Sequence, residues 1–201
     1  MPVATNPLAI REGQESLFAR GFKTWCENTA VSIRKKMGLE QADPLSPYDL
    51  AKQLGVIIWS LEEVPELNQT TSSYLSSTEG DEWSAVTVEL NNTRVIVVNP
   101  THSQARQASD LMHELAHVTL AHDAAKFFIT ADGYAMRDFD EKQEAEANWF
   151  AGCLLLPRVA LANNLYKRKT VDAAIEEYGV SRQLYTYRQN KTGVSKQFRR
   201  S

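Results

Sequence analysis

The stretch His113-Glu114-Leu115-Ala116-His117 decides the fold of this 201-residue chain and indicates a chemistry. On a helix of about 3.6 residues per turn, two histidines four positions apart lie on one face, where both can bind one metal ion. A glutamate beside the first histidine can accept a proton from a water molecule without being a ligand itself. The pattern therefore predicts a zinc-binding helix that carries its own general base, and with it a candidate metallopeptidase.

The residues around this pattern predict a packed helix. Apolar and small side chains recur there at helical spacing, namely Ala108, Leu111, Met112, Leu115, Ala116 and Thr119. His113 and His117 then lie beside a buried face, where unpaired imidazoles are costly unless something binds them. A metal ion is the simplest partner for both rings.

A second amphipathic helix is predicted between Glu141 and Pro157. Its apolar half belongs in the core, while its acidic start can reach an active site. A catalytic zinc ion takes three protein ligands and keeps one open position, and a glutamate commonly completes the set. The residues by themselves leave three candidates for the third ligand, which are Glu141, Glu144 and Glu146.

A longer pattern surrounds these two helices. It consists of DPLSPYDLAKQLGV at 43–56, VIVVNP at 95–100, Arg106, the HELAH motif, and E-x-x-A-N-x-F-A followed by LLxP at 144–157. Through these stretches the chain resembles the ImmA/IrrE family of gluzincin-like zinc metallopeptidases, over about residues 20–190. Members of that family are often encoded beside the repressors that they cleave.

The resemblance implies a ligand set and a substrate class. The family's third ligand lies four residues before an Asn and six before a Phe, which here is Glu144. Asn148 shares a helix face with Glu144, so it can orient the ligand carboxylate. The implied activity is Zn²⁺-dependent cleavage of a protein, either a helix-turn-helix (XRE-like) repressor or an antitoxin, in stress response or mobile-element regulation.

Two side chains are candidates to stabilise the oxyanion of the tetrahedral intermediate. His122 follows His117 by five residues, about 140° around a helix, which argues against a role as ligand. Its ordinary alternative is a surface or capping position at the helix C-terminus. Tyr134, in a loop between the two metal helices, is the other candidate, and the sequence does not rank them.

The expected fold is α+β, mostly helical, with a small and largely antiparallel three-stranded sheet next to the zinc helix. Strands are predicted at 56–60, 84–90 and 93–99, the last two as a hairpin through Asn91-Asn92. The resemblance to gluzincin-like enzymes implies that an edge strand beside the metal receives the substrate backbone in extended form, and the alternative for either strand is that it is only part of the core sheet. A helix is predicted over 15–37, another up to Leu54, and an irregular segment over 61–82.

The predicted division places a flexible arm at 1–14, the metallopeptidase domain at 15–157 and a helical tail at 158–201. The tail contains ten Lys or Arg against three Asp or Glu. It reads as a helix, a turn at Gly179-Val180-Ser181 and a second helix, a helix-turn-helix-like pattern.

Two interpretations of this tail compete. As a DNA reader it would place Arg182, Gln183 and Arg188 in a groove. As a lid it would pack through its apolar residues, which are Leu184, Tyr185 and Tyr187. We favour the lid, because charge runs are usually solvated faces.

Composition fits an enzyme of one or two subdomains, with a net charge of −3 and 43% hydrophobic residues. Neither a signal peptide nor an apolar run of the ~20 residues needed to cross a bilayer is apparent, which predicts a cytoplasmic protein. Cys26 and Cys153 lie far apart and are expected to be reduced core thiols. The alternatives to a peptidase are a DNA-binding regulator with a structural zinc site and a toxin/antitoxin-type interaction protein. Glu114 argues against them, because a site made only of ligands does not need it.

Overall fold

Helices dominate the part of the chain that the structure, a computed structural model, describes: residues 17–65, 67–76, 83–90, 93–122, 127–129, 135–137 and 140–198. The helices are α1 (Phe22–Lys36), α2 (Pro47–Leu54), α3 (Gln69–Leu75), α4 (Gln104–Thr119), α5 (Glu141–Leu155), α6 (Arg158–Tyr166), α7 (Val171–Tyr178), α8 (Arg182–Thr192) and α9 (Val194–Phe198). The strands are β1 (Ile57–Trp59), β2 (Ala85–Leu90), β3 (Thr93–Val98), β4 (Phe127–Ile129) and β5 (Ala135–Arg137). The predicted α+β class is confirmed.

The sheet beside α4, the helix that carries the HELAH motif, has the strand order β1-β3-β2. The predicted hairpin partners β2 and β3 pair antiparallel along their whole length; the predicted turn at Asn91-Asn92 lies outside the described residues. β1 pairs with β3 in parallel, so the sheet is mixed. The chain returns to the start of β3 through the antiparallel strand β2, so more than a dozen residues separate the parallel partners, as parallel pairing requires.

Two predicted boundaries are wrong. The first helix starts at Phe22 and not at residue 15, because Gly21 takes a left-handed φ of 88° just before it. The segment 61–82, predicted as irregular, contains a short 3-10 turn at Leu61–Glu63 and the helix α3. The Asn68 side chain accepts a hydrogen bond from the Thr71 N–H at the start of α3, a local capping signal.

Helices α4 and α5 pack together in one hydrophobic core. The predicted apolar stripe of α4 is fully buried at four positions, which are Leu111, Met112, Leu115 and Ala116. The helices that follow Pro157 contribute to the same core through Leu161, Leu184 and Val194. Cys26 and Cys153 are buried free thiols, as expected. Within the described ranges, no helix combines the length and apolarity needed to cross a membrane.

Candidate metal centre

Helix α4 holds the two histidines of the motif on one side. The Nε2 atoms of His113 and His117 lie 3.1 Å apart. Each side chain is 15% exposed, at the edge of the face that buries Leu111 and Leu115. The four-residue spacing therefore directs both Nε2 atoms to one point, as a metal ion requires.

Helix α5 brings Glu144 to the same point. Its Oε2 lies 3.2 Å from the Nε2 of His113, and its Oε1 lies 3.6 Å from the Nε2 of His117. Ligand atoms of the three residues all lie within 4.8 Å of one another, and the described residues contain no other such group of metal-ligating side chains. Of the other two candidates, Glu141 is exposed at the start of α5, and Glu146 faces His122.

The start of α5 fixes the position of Glu144. The Asp140 side chain accepts hydrogen bonds from the backbone N–H groups of Lys142 and Gln143. This N-cap begins the helix one turn before Glu144 and satisfies two of its otherwise unpaired donors. The local sequence therefore directs the carboxylate toward α4.

The donor set fits a divalent zinc ion. Two imidazole nitrogens and one carboxylate oxygen are the ligands of many catalytic zinc sites, which leave a fourth position open. Glu144 is 16% exposed and both histidines 15%, so solvent reaches one side of the cluster. The residues would hold the ion from two helices and leave room for a water molecule.

The pKa values of Glu144 and His113 depend on each other. Burial acts to raise the pKa of Glu144, but hydrogen bonds from His113 and His117 outweigh it and hold that pKa far below its usual range. Burial acts to lower the pKa of His113, but its hydrogen bond to Glu144 and the charges of Glu114 and Glu144 leave that pKa raised. Glu144 is thus an anion, the form in which a carboxylate binds a metal.

Asn148 lies within reach of His113. The Asn148 amide acts to raise the pKa of that histidine, after the larger effects of burial, Glu144 and Glu114. Its predicted role in orienting Glu144, one turn earlier on α5, stays a prediction.

Glu114, the predicted general base, is buried beside the ligands with 5% exposure. The Thr87 hydroxyl on β2 donates a hydrogen bond to its Oε2. Thr87 was not identified from the sequence, because it lies 27 residues before Glu114 and no local pattern links the two. Only the packing of β2 against α4 brings them together.

His122 contacts the candidate ligand His117, which the sequence did not predict. The helix ends at Thr119, and Ala121 has a positive φ of 53°, so the prediction that His122 continues α4 is wrong. Its side chain is only 8% exposed, which also excludes a surface position. Its Nδ1 lies 2.9 Å from the Nδ1 of His117. Burial and the charge of His117 lower the pKa of His122.

The structure leaves the other oxyanion candidate untested and places two polar side chains, His102 and Arg106, beside Asp110 of α4. Tyr134, the second oxyanion candidate, is outside the described residues. His102 is buried with its Nδ1 2.9 Å from the Oδ2 of Asp110 on α4, and Arg106 lies 3.9 Å from the same oxygen. His102 and Arg106 therefore both lie next to Asp110, in the first half of α4.

Of the three tail residues considered as DNA readers, Arg182 and Gln183 are exposed and Arg188 is buried. Arg188 is 1% exposed and donates hydrogen bonds to the Leu156 carbonyl and to the Glu27 carboxylate, so the suggestion that it faces DNA is wrong. Arg182 is exposed and pairs with Asp172 of α7. Leu184 and Tyr185, predicted as packing residues of a lid, are buried.

Comparison with known proteins shows the family of the chain. The sequence profile of the IrrE N-terminal-like domain, a peptidase family designated M78, matches residues 66–190. The chain therefore belongs to the IrrE N-terminal-like family, which confirms the resemblance found in the sequence. No curated protein matches the chain.

A solved structure of a Mycobacterium tuberculosis transcriptional regulator shares the fold, with a TM-score of 0.54 and 16% sequence identity. The similarity covers 92% of this chain and 51% of that one. The chain thus spans about half the length of that regulator.

Proposed function

We propose that the chain is a zinc-dependent endopeptidase. The observation that carries this proposal is the convergence of three ligands, His113, His117 and Glu144, next to a buried carboxylate, Glu114, that is not part of the ligand group. A structural metal site needs ligands only, whereas hydrolysis also needs a group that moves protons. Membership in a peptidase family agrees with this distinction.

When bound by His113, His117 and Glu144, a zinc ion would act as a Lewis acid toward water and the substrate carbonyl. Glu114 accepts the proton of the attacking water and delivers it to the leaving amine. The Thr87 hydroxyl holds one oxygen of Glu114, so that the other is free to face the reacting water. The pair therefore fixes the direction of proton transfer before the substrate arrives.

The open edge of β2 is suited to bind an extended substrate. Among the described residues β2 pairs only with β3. The Asn99 N–H donates to the Ser84 carbonyl, and the register then directs the N–H and C=O groups of Ala85, Thr87 and Glu89 away from β3. Because the Thr87 side chain touches Glu114, a peptide added to this edge would pass close to the base.

We further propose that the substrate is a helix-turn-helix (XRE-like) repressor or an antitoxin. The support is the family assignment and the resemblance to peptidases encoded beside such proteins. An extended segment fits the edge of β2, so we expect cleavage in a linker or locally unfolded stretch of the repressor. Such a substrate would be recognised mainly through its backbone.

The test compares the zinc-loaded protein with its Glu114→Gln variant on a repressor encoded beside its gene. We expect cleavage by the former and a rate at least about 10²-fold lower for the latter, the usual contribution of a general base. Zinc content, measured by atomic absorption, should be the same in both proteins.

Two results would contradict the proposal. Equal cleavage by both proteins would mean that Glu114 is not the base. Full zinc binding with no cleavage of the neighbouring repressor, or of a denatured protein such as casein, would indicate a site without peptidase activity.

A further inference from the structure

His122 lies on the side of His117 that faces away from the other two candidate ligands, His113 and Glu144. The Nε2 of His117 points to Glu144 and His113, while its Nδ1 lies 2.9 Å from the Nδ1 of His122. The two rings meet edge to face, with centroids 4.9 Å apart and planes at 70°. His122 therefore contacts a ligand from behind and does not face the space between the ligands.

Glu146 completes a row behind His117. Its Oε2 lies 3.4 Å from the Nε2 of His122. Its side chain is 15% exposed, and Lys142, one turn earlier on α5, lies 3.9 Å from the other oxygen. Both ring nitrogens of His122 thus have partners, one a histidine and the other a carboxylate.

Metal binding by His117 determines which ring nitrogens of His117 and His122 carry protons. The Nε2 of His117 can bind a cation only through its lone pair, so the proton of the ring is on Nδ1. That N–H can donate only to a lone pair on the Nδ1 of His122. His122 then carries its own proton on Nε2, where the Glu146 carboxylate accepts it.

We propose that His122 and Glu146 are positioning residues that hold the ligand His117 in its metal-binding tautomer and ring orientation. The inference rests on the proposed zinc site. It assigns Glu146 a role distinct from that of Glu144. Glu144 binds the metal, and Glu146, two residues later, orients the ligand His117 through His122. It also means that His122 is not the oxyanion donor, because both of its nitrogens are engaged on the far side of His117.

Zinc affinity of the full chain tests the proposal, measured by competition with a chromophoric chelator. We expect His122→Phe, which keeps a ring but removes the acceptor, to weaken zinc binding by about 10- to 100-fold, the usual effect of losing such a support. His122→Gln should recover much of that loss, because its amide oxygen can accept from His117 and its NH₂ can donate to Glu146.

Glu146→Ala should weaken zinc binding in the same direction, by about tenfold. Glu141→Ala is the matched control, since it removes an exposed carboxylate from the same end of α5 and should leave the affinity unchanged. Visible absorption of the Co²⁺-substituted proteins gives a second measurement. Its ligand-field bands should shift in His122→Phe and Glu146→Ala, but not in Glu141→Ala.

The failure of this inference can be separated from the failure of the proposed function. If His117→Ala abolishes zinc binding while His122→Phe and Glu146→Ala bind as tightly as the unaltered chain, the positioning role is overturned and the zinc site stands. If the unaltered chain does not bind zinc, or His117→Ala binds it equally well, both are overturned. Should His122→Phe fail to fold, Glu146→Ala and its cobalt spectrum decide the question.

Discussion

At the scale of single residues, the site depends on how one carboxylate is held. Glu114 is buried beside the two histidines of the candidate metal site, and the Thr87 hydroxyl of β2 donates a hydrogen bond to it. The Thr87 hydroxyl holds one oxygen of Glu114 and so supports the orientation of the carboxylate.

Replacing Thr87 should separate this support from metal binding. We expect Thr87→Val to lower kcat/KM for the proposed repressor substrate about tenfold, the equivalent of about 1.4 kcal/mol, which is close to the lower end of the range for a hydrogen bond to a charged group. Thr87→Ser keeps the hydroxyl and should stay within about twofold of the unaltered chain. Steady-state cleavage rates and zinc content together check this, and equal loss in both variants would contradict it.

The choice of third ligand is also a question of single residues. We expect Glu144→Ala to weaken zinc binding by several orders of magnitude, because a two-histidine site lacks the anionic ligand that completes a catalytic set. Glu141→Ala should retain full occupancy, since that side chain is exposed and outside the ligand group. Metal analysis after dialysis gives the answer. Full occupancy in Glu144→Ala would return the assignment to one of the other glutamates.

At the scale of elements, alternate residues of β2 have two different roles. One set pairs with β3, and the other presents its backbone groups at the open edge. Ala85, Thr87 and Glu89 direct their backbone groups outward, while Val86 and Val88 bond to β3. A proline therefore has opposite consequences at adjacent positions, because it removes either an outward N–H or one that belongs to the ladder.

This difference gives a prediction for substrate binding. Ala85→Pro should keep the fold, since the residue begins an edge strand, but should raise KM for the repressor several-fold by removing an edge donor. Val86→Pro should break the ladder and lower stability by about 3 kcal/mol or more. Thermal unfolding and steady-state kinetics distinguish the two. An unchanged KM in a folded Ala85→Pro protein would mean that the substrate does not add to this edge.

Sequence patterns predicted the elements whose signals are local. The four-residue spacing of His113 and His117 and the apolar stripe specified α4, and the family pattern indicated Glu144. The support from Thr87 and the parallel pairing of β1 could not be predicted, because each depends on contacts between residues far apart in the chain. His122 was misplaced for a related reason: the end of α4 at Thr119 has no glycine or proline signal in the sequence.

At the scale of the whole molecule, the predicted division after residue 157 stays a prediction, although both sides share one core. Arg188 of α8 reaches across to Glu27 of α1 and to the carbonyl of Leu156. Gly152 of α5 makes room for it, because a Cβ at that position would lie 3.1 Å from the Arg188 Cδ. Truncation before α6 would therefore expose the core, and point variants are the better way to study the tail.

Two arginines of α8 form a matched pair for this purpose. Arg188→Met should lower the free energy of unfolding by about 3 kcal/mol, because it removes the guanidinium donor from the Glu27 carboxylate and from the Leu156 carbonyl. Arg182→Met removes an exposed arginine paired with exposed Asp172, and should change stability by less than about 0.5 kcal/mol. Denaturant titration measures both. Equal effects would show that α8 is not fixed in the core through Arg188.

The three candidate ligands come from only two helices, α4 and α5, and the same two helices form the centre of the core. A cation bound there would act as a cross-link between them, in the way that a disulfide joins two segments of chain. Unfolding would have to release the ion, so free zinc at a hundred times its Kd would add about 2.7 kcal/mol to the stability of the fold. The melting temperature of this protein would then report the zinc concentration of its surroundings, and chelation would weaken the fold together with the proposed activity.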